Sequence, residues 1–566
     1  MNFRFWTFAS AGTLVLALLI ISSASTQRPE PESGPDKRRA AVERKAARGA
    51  YFETLYRDPA TGKIPKNIRA QELYAVKNIQ TTDWAANKTQ QAYSYTEAGP
   101  TDVGGRTRAI VIDASNSNTV IAGAASGGIW KSTDAGATWR LVGEEFLTVT
   151  SIAQQGSSST WYATTGEQNG TIGTNSSDGA GLFGSGIYKS TDGGESWTVA
   201  FADGGNPISW DSPLDYIMRV VASPTTGTVI LTEHWSGVWR SADGGSTFQN
   251  VLGDVAVQNG GDVVVGSDGT FWASMTAEDN SGTNGLYVST DDGATWTAVG
   301  TTPADIAAGH MRSVLAVSGD QSVAYFMATM GQNITRSAVS VEDIRFYKVT
   351  LGTGAWEDRS DNLPLFLKGD GSIGLGALDS QQSYNVTIGV HPTDSDHVFV
   401  GGTVLFRSRD GFATALTDKT DEWVGGYSVD DNNSQYANNH PDQHTLVFDP
   451  SNPNRLYNGH DGGISVADNV VPNGAIAWRD LNSGYNVTQF YTVSIARAAA
   501  DTRFIGGTQD NGSPFFRYAG GTASTSEDVT TGDGAFAYMG ADFVISSSQQ
   551  GASQWEAIGT GGTPTF

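Results

Sequence analysis

The chain has 566 residues, with 69 glycines, 15 tryptophans, 19 tyrosines, 23 phenylalanines and no cysteine. That composition suits a large all-β globular protein and excludes both a disulfide framework and cysteine-ligated metal. A formal net charge of −24 repels phosphates and anionic lipid headgroups, which argues against nucleic acid or a membrane surface as partner.

At the N-terminus, Arg4, an apolar run over 14–21 and the small residues Ser23-Ala24-Ser25 predict a signal peptide over 1–25 and export. The mature protein is then secreted or held at a bacterial cell surface, with no membrane insertion after signal removal. A Pro-rich, charged stretch over 29–37 reads as a spacer, and good helix formers over about 38–57 predict a short helix that Asp58-Pro59-Ala60-Thr61-Gly62 stops. Residues 26–98 are therefore a pre-propeller segment, and 99–566 the main domain.

In that domain Ser, Asp, Gly and an aromatic recur at offsets of zero, two, four and seven: Ser132/Asp134/Gly136/Trp139, Ser190/Asp192/Gly194/Trp197, Ser241/Asp243/Gly245/Phe248 and Ser289/Asp291/Gly293/Trp296. The Asp accepts backbone N–H bonds within its own turn and the Gly supplies a positive φ, so each tetrad predicts a tight β-hairpin turn. Another aromatic stands two residues before each Ser (Trp130, Tyr188, Trp239, Tyr287), on one face of the strand entering the turn. Successive serines are 58, 51 and 48 residues apart, a spacing for four-stranded propeller blades. A decayed fifth copy, Ser408-Arg409-Asp410-Gly411, lacks the expected Gly and aromatic and lies 119 residues beyond Ser289. The gap holds a further blade over about 310–360, with Trp356 near its end. Strand and turn patterning puts blade starts near 105, 149, 216, 261, 312, 385, 444, 489 and 533. Nine starts fit a ten-bladed ring or two tandem seven-bladed rings.

The tetrads resemble the Asp boxes of bacterial neuraminidase repeats, found in sialidases, sortilins and family 74 xyloglucanases. The segments from Gly99 to Arg108, His440-Pro441-Asp442-Gln443-His444 and Gly506-Gly507-Thr508-Gln509-Asp510-Asn511-Gly512 are similar to a narrower group of large exported bacterial proteins, sortilin-like or glycosyl-hydrolase-like. The resemblance implies a large all-β propeller whose Asp boxes join the third and fourth strands on the side away from the ligand, so Asp134, Asp192, Asp243 and Asp291 are structural. Some members of the group carry a C-terminal sorting domain; none is evident here, and the sequence is read as C-terminally incomplete.

With those turns underneath, strand alternation brings the loops between second and third strands, and the starts of the first strands, to the opposite face. The loops hold Ser126, Glu167, Glu233, His234, His460, Asp461, Gln509 and Asp510; the strand starts hold Arg106, Arg219, Arg312, Asp442 and His444. Five of the seven histidines fall between His391 and His460, and a hairpin centred on 451–452 is expected to set His444 opposite Gly459, beside His460. His440, His444 and His460, with Asp442 and Asp461, offer a transition-metal site such as zinc or an acid/base cluster; they serve equally as hydrogen bonds that lock loops. Glu167, Asp461 and Asp510 are the candidate carboxyls for glycoside hydrolysis, which needs two facing acids. The xyloglucanase resemblance places a catalytic Asp near Ser126, where this chain has no acid. The sialidase resemblance implies an arginine clamp, for which Arg106, Arg219 and Arg312 are candidates, although its Phe/Tyr-Arg-Ile-Pro motif is missing. The loops Asp430-Asp431-Asn432-Asn433 and Asn175-Ser176-Ser177-Asp178 offer oxygen ligands for calcium.

Two functions of different class result. One is a noncatalytic sortilin-like propeller that binds an extracellular polypeptide or glycan. The other is a polysaccharide-cleaving glycoside hydrolase. A metal-dependent hydrolase centred on the histidines is a third.

Overall fold

The computed structural model describes residues 57–58, 60–63, 98–143, 148–167, 184–201, 216–233, 237–253, 260–277, 283–431, 434–497, 501–519, 522–548 and 553–557. The signal peptide, the Pro-rich spacer and the 38–57 helix fall outside these residues, apart from Arg57 at the end of the helix range. In the first compact unit, Met1–Ile64, the described residues form the predicted turn, with the Asp58 carbonyl accepting from the Thr61 and Gly62 N–H groups at 3.2 and 2.8 Å. Among the described residues no helix is long and apolar enough to cross a membrane.

The second unit, Pro65–Phe566, contains the propeller. Its first blade runs Thr107–Ile112, Val120–Ala124, Ile129–Ser132 and Arg140–Gly143, each strand antiparallel to the next. Blade-forming sheets follow with first strands Val149–Gln154, Ile217–Ala222, Gly260–Val265, Arg312–Val317, Thr387–His391, Gln443–Asp449, Phe490–Ile495 and Gly534–Met539. All nine lie within two residues of the predicted starts. The expected extra blade is the fifth, and its Trp356 donates from the indole to the Val299 carbonyl at 2.8 Å. Second strands such as Trp161–Thr165 and Val229–Glu233 are buried at every residue, because a blade is covered on both faces by its neighbours. Fourth strands such as Arg140–Gly143 lie outermost and are largely exposed.

The repeated tetrads form one hydrogen-bonded device. The Ser132 hydroxyl donates to the Asp134 carboxylate at 2.8 Å and accepts the Gly136 N–H at 2.8 Å, while Thr138 donates its N–H and hydroxyl to the same carboxylate at 2.8 and 2.7 Å. Ser190/Asp192, Ser241/Asp243 and Ser289/Asp291 repeat it. The glycine is fixed by space as well as by conformation: a Cβ on Gly194, at φ +81°, would lie 2.3 Å from Ile121 of the preceding blade. The fifth copy keeps the geometry without the glycine. Phe412 takes the left-handed conformation at φ +61°, its N–H reaches the Ser408 hydroxyl at 2.8 Å, and its ring is buried in the core.

The ring closes after seven blades. First strands of consecutive blades adjoin, and Gln443–Asp449 of the seventh adjoins Thr107–Ile112 of the first. Ile110, Val120, Trp130 and Trp139 share one core with Tyr457, Ile464, Leu481 and Tyr485. The Trp139 indole donates to the Leu481 carbonyl at 2.8 Å and the Thr107 hydroxyl to Tyr485 at 3.2 Å. This corrects the ten-bladed alternative: the eighth and ninth sheets stand outside the ring and pack on each other.

Candidate functional site

Two β-bulges build the centre of the site. In the first blade Thr107 pairs with Ala124 and Ala109 with Gly123, leaving Arg108 as the extra residue. In the seventh, Gln443 pairs with His460 and Thr445 with Gly459, leaving His444 as the extra residue. The expected His444–Gly459 pairing is therefore off by one. A bulge re-aims its extra side chain, and here the two meet: Arg108 Nη1 lies 3.0 Å from His444 Nδ1.

Around them stands a buried network of charges. Arg106 reaches Glu167 from Nη1 at 2.8 Å, Asp461 from Nε at 3.2 Å and Asp510 from Nη2 at 3.9 Å. Arg108 also pairs with Glu167. His444 Nε2 lies 2.6 Å from Asp461 Oδ1, and the Tyr384 hydroxyl donates to Asp461 Oδ2. Asn385 donates to Asp442, Asn511 to the Asp461 carbonyl at 3.0 Å, and the Asp510 N–H to Asp533 at 2.9 Å. One carboxylate oxygen each from Asp442, Asp461 and Asp510 lies within 4.8 Å of the others. Asp461 is followed by a glycine pair; a Cβ on Gly463, at φ +117°, would sit 1.9 Å from Asn482.

Tyr384 arrives by a costly backbone. Gln381, Gln382 and Ser383 are consecutive left-handed residues at φ +50°, +59° and +80°, a conformation that persists in non-glycine residues where the surroundings over-determine it. The Asp379 carboxylate accepts the Gln381 N–H at 2.8 Å, and the Ser380 hydroxyl, held by Glu342 at 2.6 Å, accepts the Ser383 N–H at 3.0 Å. Asp442 and Asp510 are also left-handed, at φ +64° and +62°.

The acids divide by the direction in which their surroundings shift them. Burial alone would raise Glu167, but Arg106 and Arg108 hold it below the ordinary range. Burial would likewise raise Asp461, but His444 and Arg106 hold it well down. Asp442 and Asp510 are pushed well up, first by burial and then by the Asp461 charge. Burial, then Arg108, pushes His444 down to about 4, so the neutral ring accepts from Arg108 at Nδ1 and donates to Asp461 from Nε2. The site thus sets carboxyls held down by arginine and histidine beside carboxyls pushed up by burial.

Several expectations are changed by the structure. The three histidines do not aim their nitrogens at one point. His440 faces the Pro441 and Asp510 carbonyls at 3.0 and 3.1 Å, His460 Nε2 the Ser465 hydroxyl at 2.7 Å, and His444 is engaged by Arg108 and Asp461. Among the described residues the groups placed to share an ion are Asp442, Asp461 and Asp510, and the Arg106 guanidinium already supplies a cation beside them. The arginine clamp does not form: Arg106 is spent on Glu167 and Asp461, Arg219 pairs with Asp262 at 2.7 Å, and Arg312 donates to the Ser383 carbonyl at 2.7 Å. Glu233 ends its strand fully buried. Gln509 anchors its loop through its N–H on the Gln489 carbonyl at 2.9 Å. His234 and the 175–178 loop lie outside the described residues. In the other acidic loop Asp430 pairs with Lys419, and Asp431 accepts from the Ser434 N–H at 2.8 Å. Sequence reasoning missed Arg108, Tyr384, Asn385 and Asp533; only Arg108 stood inside a singled-out segment.

No protein-family model matches the chain. A xyloglucanase from a Paenibacillus species is 28% identical over 258 residues, spanning 40% of this chain and 23% of that protein. The chain thus matches less than a quarter of that relative's length. Among solved structures, the GH74 enzyme of Niastella koreensis superimposes with a TM-score of 0.54 at 18% identity, covering 83% of this chain and 69% of that one. An ancestral GH74 enzyme gives 0.55 at 15% identity, covering 84% and 63%. These likenesses establish the all-β propeller fold.

Proposed function

We propose that the chain is a glycoside hydrolase acting on an extracellular polysaccharide of the xyloglucan class, with Asp510 as proton donor. The observation that carries this reading is the acid cluster gathered at Arg106, in which buried, ion-paired carboxylates stand beside a partly exposed carboxyl, Asp510, that burial pushes up. Cleavage of a glycosidic bond needs a carboxylic acid that keeps its proton near neutral pH for the leaving oxygen, beside a second carboxyl that assists water or the sugar cation. Asp510 is raised and its side chain is 22% exposed, so it combines a retained proton with access to substrate. Asp533, partly exposed, raised first by burial, and bonded to the Asp510 N–H, is the second carboxyl on the solvent side.

Glu167 and Asp461, expected at the outset to be catalytic, have side chains 3% and 0% exposed and sealed in ion pairs. They are positioning groups: the Asp461 charge adds to burial in raising Asp510, and Arg106 holds the three acids in register. The likeness to a xyloglucanase favours this reading over the noncatalytic sortilin-like binder, and it supplies the substrate class.

Incubation with xyloglucan is expected to release reducing ends, and Asp510→Asn and Asp533→Asn each to lose about 10²–10⁴-fold in kcat with xyloglucan binding retained. Full activity in Asp510→Asn refutes the assignment. Saturable binding of xyloglucan by the wild type without cleavage refutes hydrolysis and restores the binder.

A further inference from the structure

We infer that a cleft on the fifth blade, walled by an overlong hairpin and by two strained glutamines, binds a neutral sugar residue. The second strand of that blade, Val323–Arg336, has 14 residues, against five to nine in the other ring blades. Its first strand accompanies it only as far as Thr329, and its fourth strand pairs only with Tyr347–Thr350. The remainder, joined to the third strand Val339–Thr350, therefore overhangs the blade on the side where Arg312 meets the Ser383 and Tyr384 carbonyls. The small hairpin of Leu365–Leu367 and Ile373–Ala377 stands against this overhang. Between them lies a cleft of about 310 Å³, within the range of small-molecule sites.

The wall of the cleft is built at a cost. Gln381 and Gln382 line it while holding left-handed backbones at φ +50° and +59°, where glycine is the default residue. Such strain gathers at ligand clamps and persists where the surroundings fix it. Here the overhang itself does the fixing: Glu342 accepts the Ser380 N–H and hydroxyl, each at 2.6 Å, and Asp379 accepts the Gln381 N–H at 2.8 Å. The strain thus keeps two carboxamides at the cleft that glycine could not supply. The Gln381 amide is tied on one side, its Oε1 accepting from Asn385 at 3.3 Å. Among the described residues nothing bonds the side chains of Gln382, Asn333 and Ser340, which stand exposed at the cleft.

The chemistry of these groups selects the ligand. Carboxamides and a hydroxyl both donate and accept, which matches a run of sugar hydroxyls, and Val341 and Ile373 give the wall an apolar part for the C–H face of a ring. Among the described residues that line the cleft there is no Lys, Arg or His, which argues against an anion. Glu342 and Asp379 are spent on backbone N–H groups, which argues against a cation. Gln382 is two residues from Tyr384, whose hydroxyl donates to Asp461, so the cleft adjoins the acid cluster within about 7 Å of backbone. The choice of a sugar rests on the glycan reading proposed for the whole protein, and not on cleavage. Its source is either a free monosaccharide or one unit of a polysaccharide.

The test is calorimetric titration of the full chain, carrying Asp510→Asn so that binding is read without turnover, with glucose and with a xyloglucan oligosaccharide. Gln382→Gly and Asn333→Ala are each expected to weaken oligosaccharide binding about three- to tenfold, the loss of one hydrogen bond. Gln382→Gly is also expected to melt no lower than its parent, since glycine takes this backbone without strain. Tighter binding of the oligosaccharide than of glucose assigns the cleft to a polysaccharide, and equal binding to a free sugar. Absence of saturable binding, undiminished binding in the two variants combined, or weaker binding with a lower melting temperature in Gln382→Gly overturns the site. Should Gln382→Gly fail to fold, Asn333→Ala, at an exposed position of the overhang, decides alone. Undiminished binding with reducing ends still released by the wild type removes the cleft and leaves the hydrolase. Weakened binding with no release by the wild type removes the hydrolase and leaves the cleft.

Discussion

The first and eighth blades start from strands of equal length with opposite fates. In Thr107–Ile112 five of the six residues are buried, whereas Phe490–Ile495 alternates half-buried with exposed. On one face of the eighth strand, Thr492 donates to the Ala535 carbonyl at 2.6 Å and Ser494 accepts the Met539 N–H at 2.9 Å, both in the ninth sheet. Its other face presents Tyr491, Val493 and Ile495, each more than half exposed. The difference teaches that a blade's inner strand is completed by a neighbour on each side. Ring closure supplies that second neighbour to the first blade through the seventh.

The sharpest way to break the comparison is at the closure itself. Trp139 packs against Tyr485, with ring centroids 5.2 Å apart, and its indole N–H is satisfied by Leu481. Trp139→Ala removes a buried indole and leaves the Leu481 carbonyl without that donor. A loss of about 3–5 kcal/mol is expected, read from the urea midpoint. Hydrogen exchange should accelerate first in Thr107–Ile112 and Gln443–Asp449, with Phe490–Ile495 unchanged. Equal acceleration in all three strands would mean that ring and C-terminal sheets unfold as one.

A second, comparable effect depends on pH. All seven histidines precede Phe490, so a stability term from imidazoles belongs to the ring. His310 is buried beside Phe326, bonded to Thr276 at 3.1 Å, and burial pushes it down to about 4. Its folded value is depressed, so between pH 6.5 and 4 the unfolded chain takes a proton that the folded ring refuses. The stability this residue contributes is present above 6.5 and lost as pH falls. Each unit costs about 1.4 kcal/mol. His310→Gln should therefore gain on the wild type by about 3 kcal/mol between pH 6.5 and 4, seen as a shallower fall of the urea midpoint. Parallel curves would show that His310 titrates alike in both states.

Much of this architecture was legible in the residues, because blade starts are set by local chemistry. A Ser-Asp-Gly turn forms wherever its atoms stand, and the fully buried second strands open on apolar runs such as Trp161-Tyr162-Ala163 and Val229-Ile230-Leu231. Even the decayed copy at Ser408 was recognisable, although not that Phe412 would adopt the conformation reserved elsewhere for glycine. The faces of the loops were also legible, which is why Glu167, Asp461 and Asp510 meet at Arg106. Hidden were features that depend on partners distant in sequence. The bulges at Arg108 and His444 shift register by one residue, and nothing local marks them. Tyr384 enters through three strained residues held by Glu342 and Asp379. The proton affinity of each acid is set by burial and by neighbours from other blades, so three carboxyls that look alike in sequence divide into two that are held down and one that is pushed up.

The smallest expected effect sharpens the comparison from the other side. Ile495 is 58% exposed, so Ile495→Ser removes little buried apolar area and should move the folding midpoint by no more than about 0.5 kcal/mol. The same substitution at Ile112, buried in the equivalent inner strand of the first blade and part of the closure core, should cost several times as much, because it strips packing and buries a hydroxyl. If the two cost the same, Ile495 is covered in solution by another surface. The exposed stripe of Tyr491, Val493 and Ile495 would then be a contact face, and the salt and concentration dependence of the midpoint would report it. A large asymmetry instead means that the stripe is solvated as seen, and that covering both faces is what makes an inner strand strong.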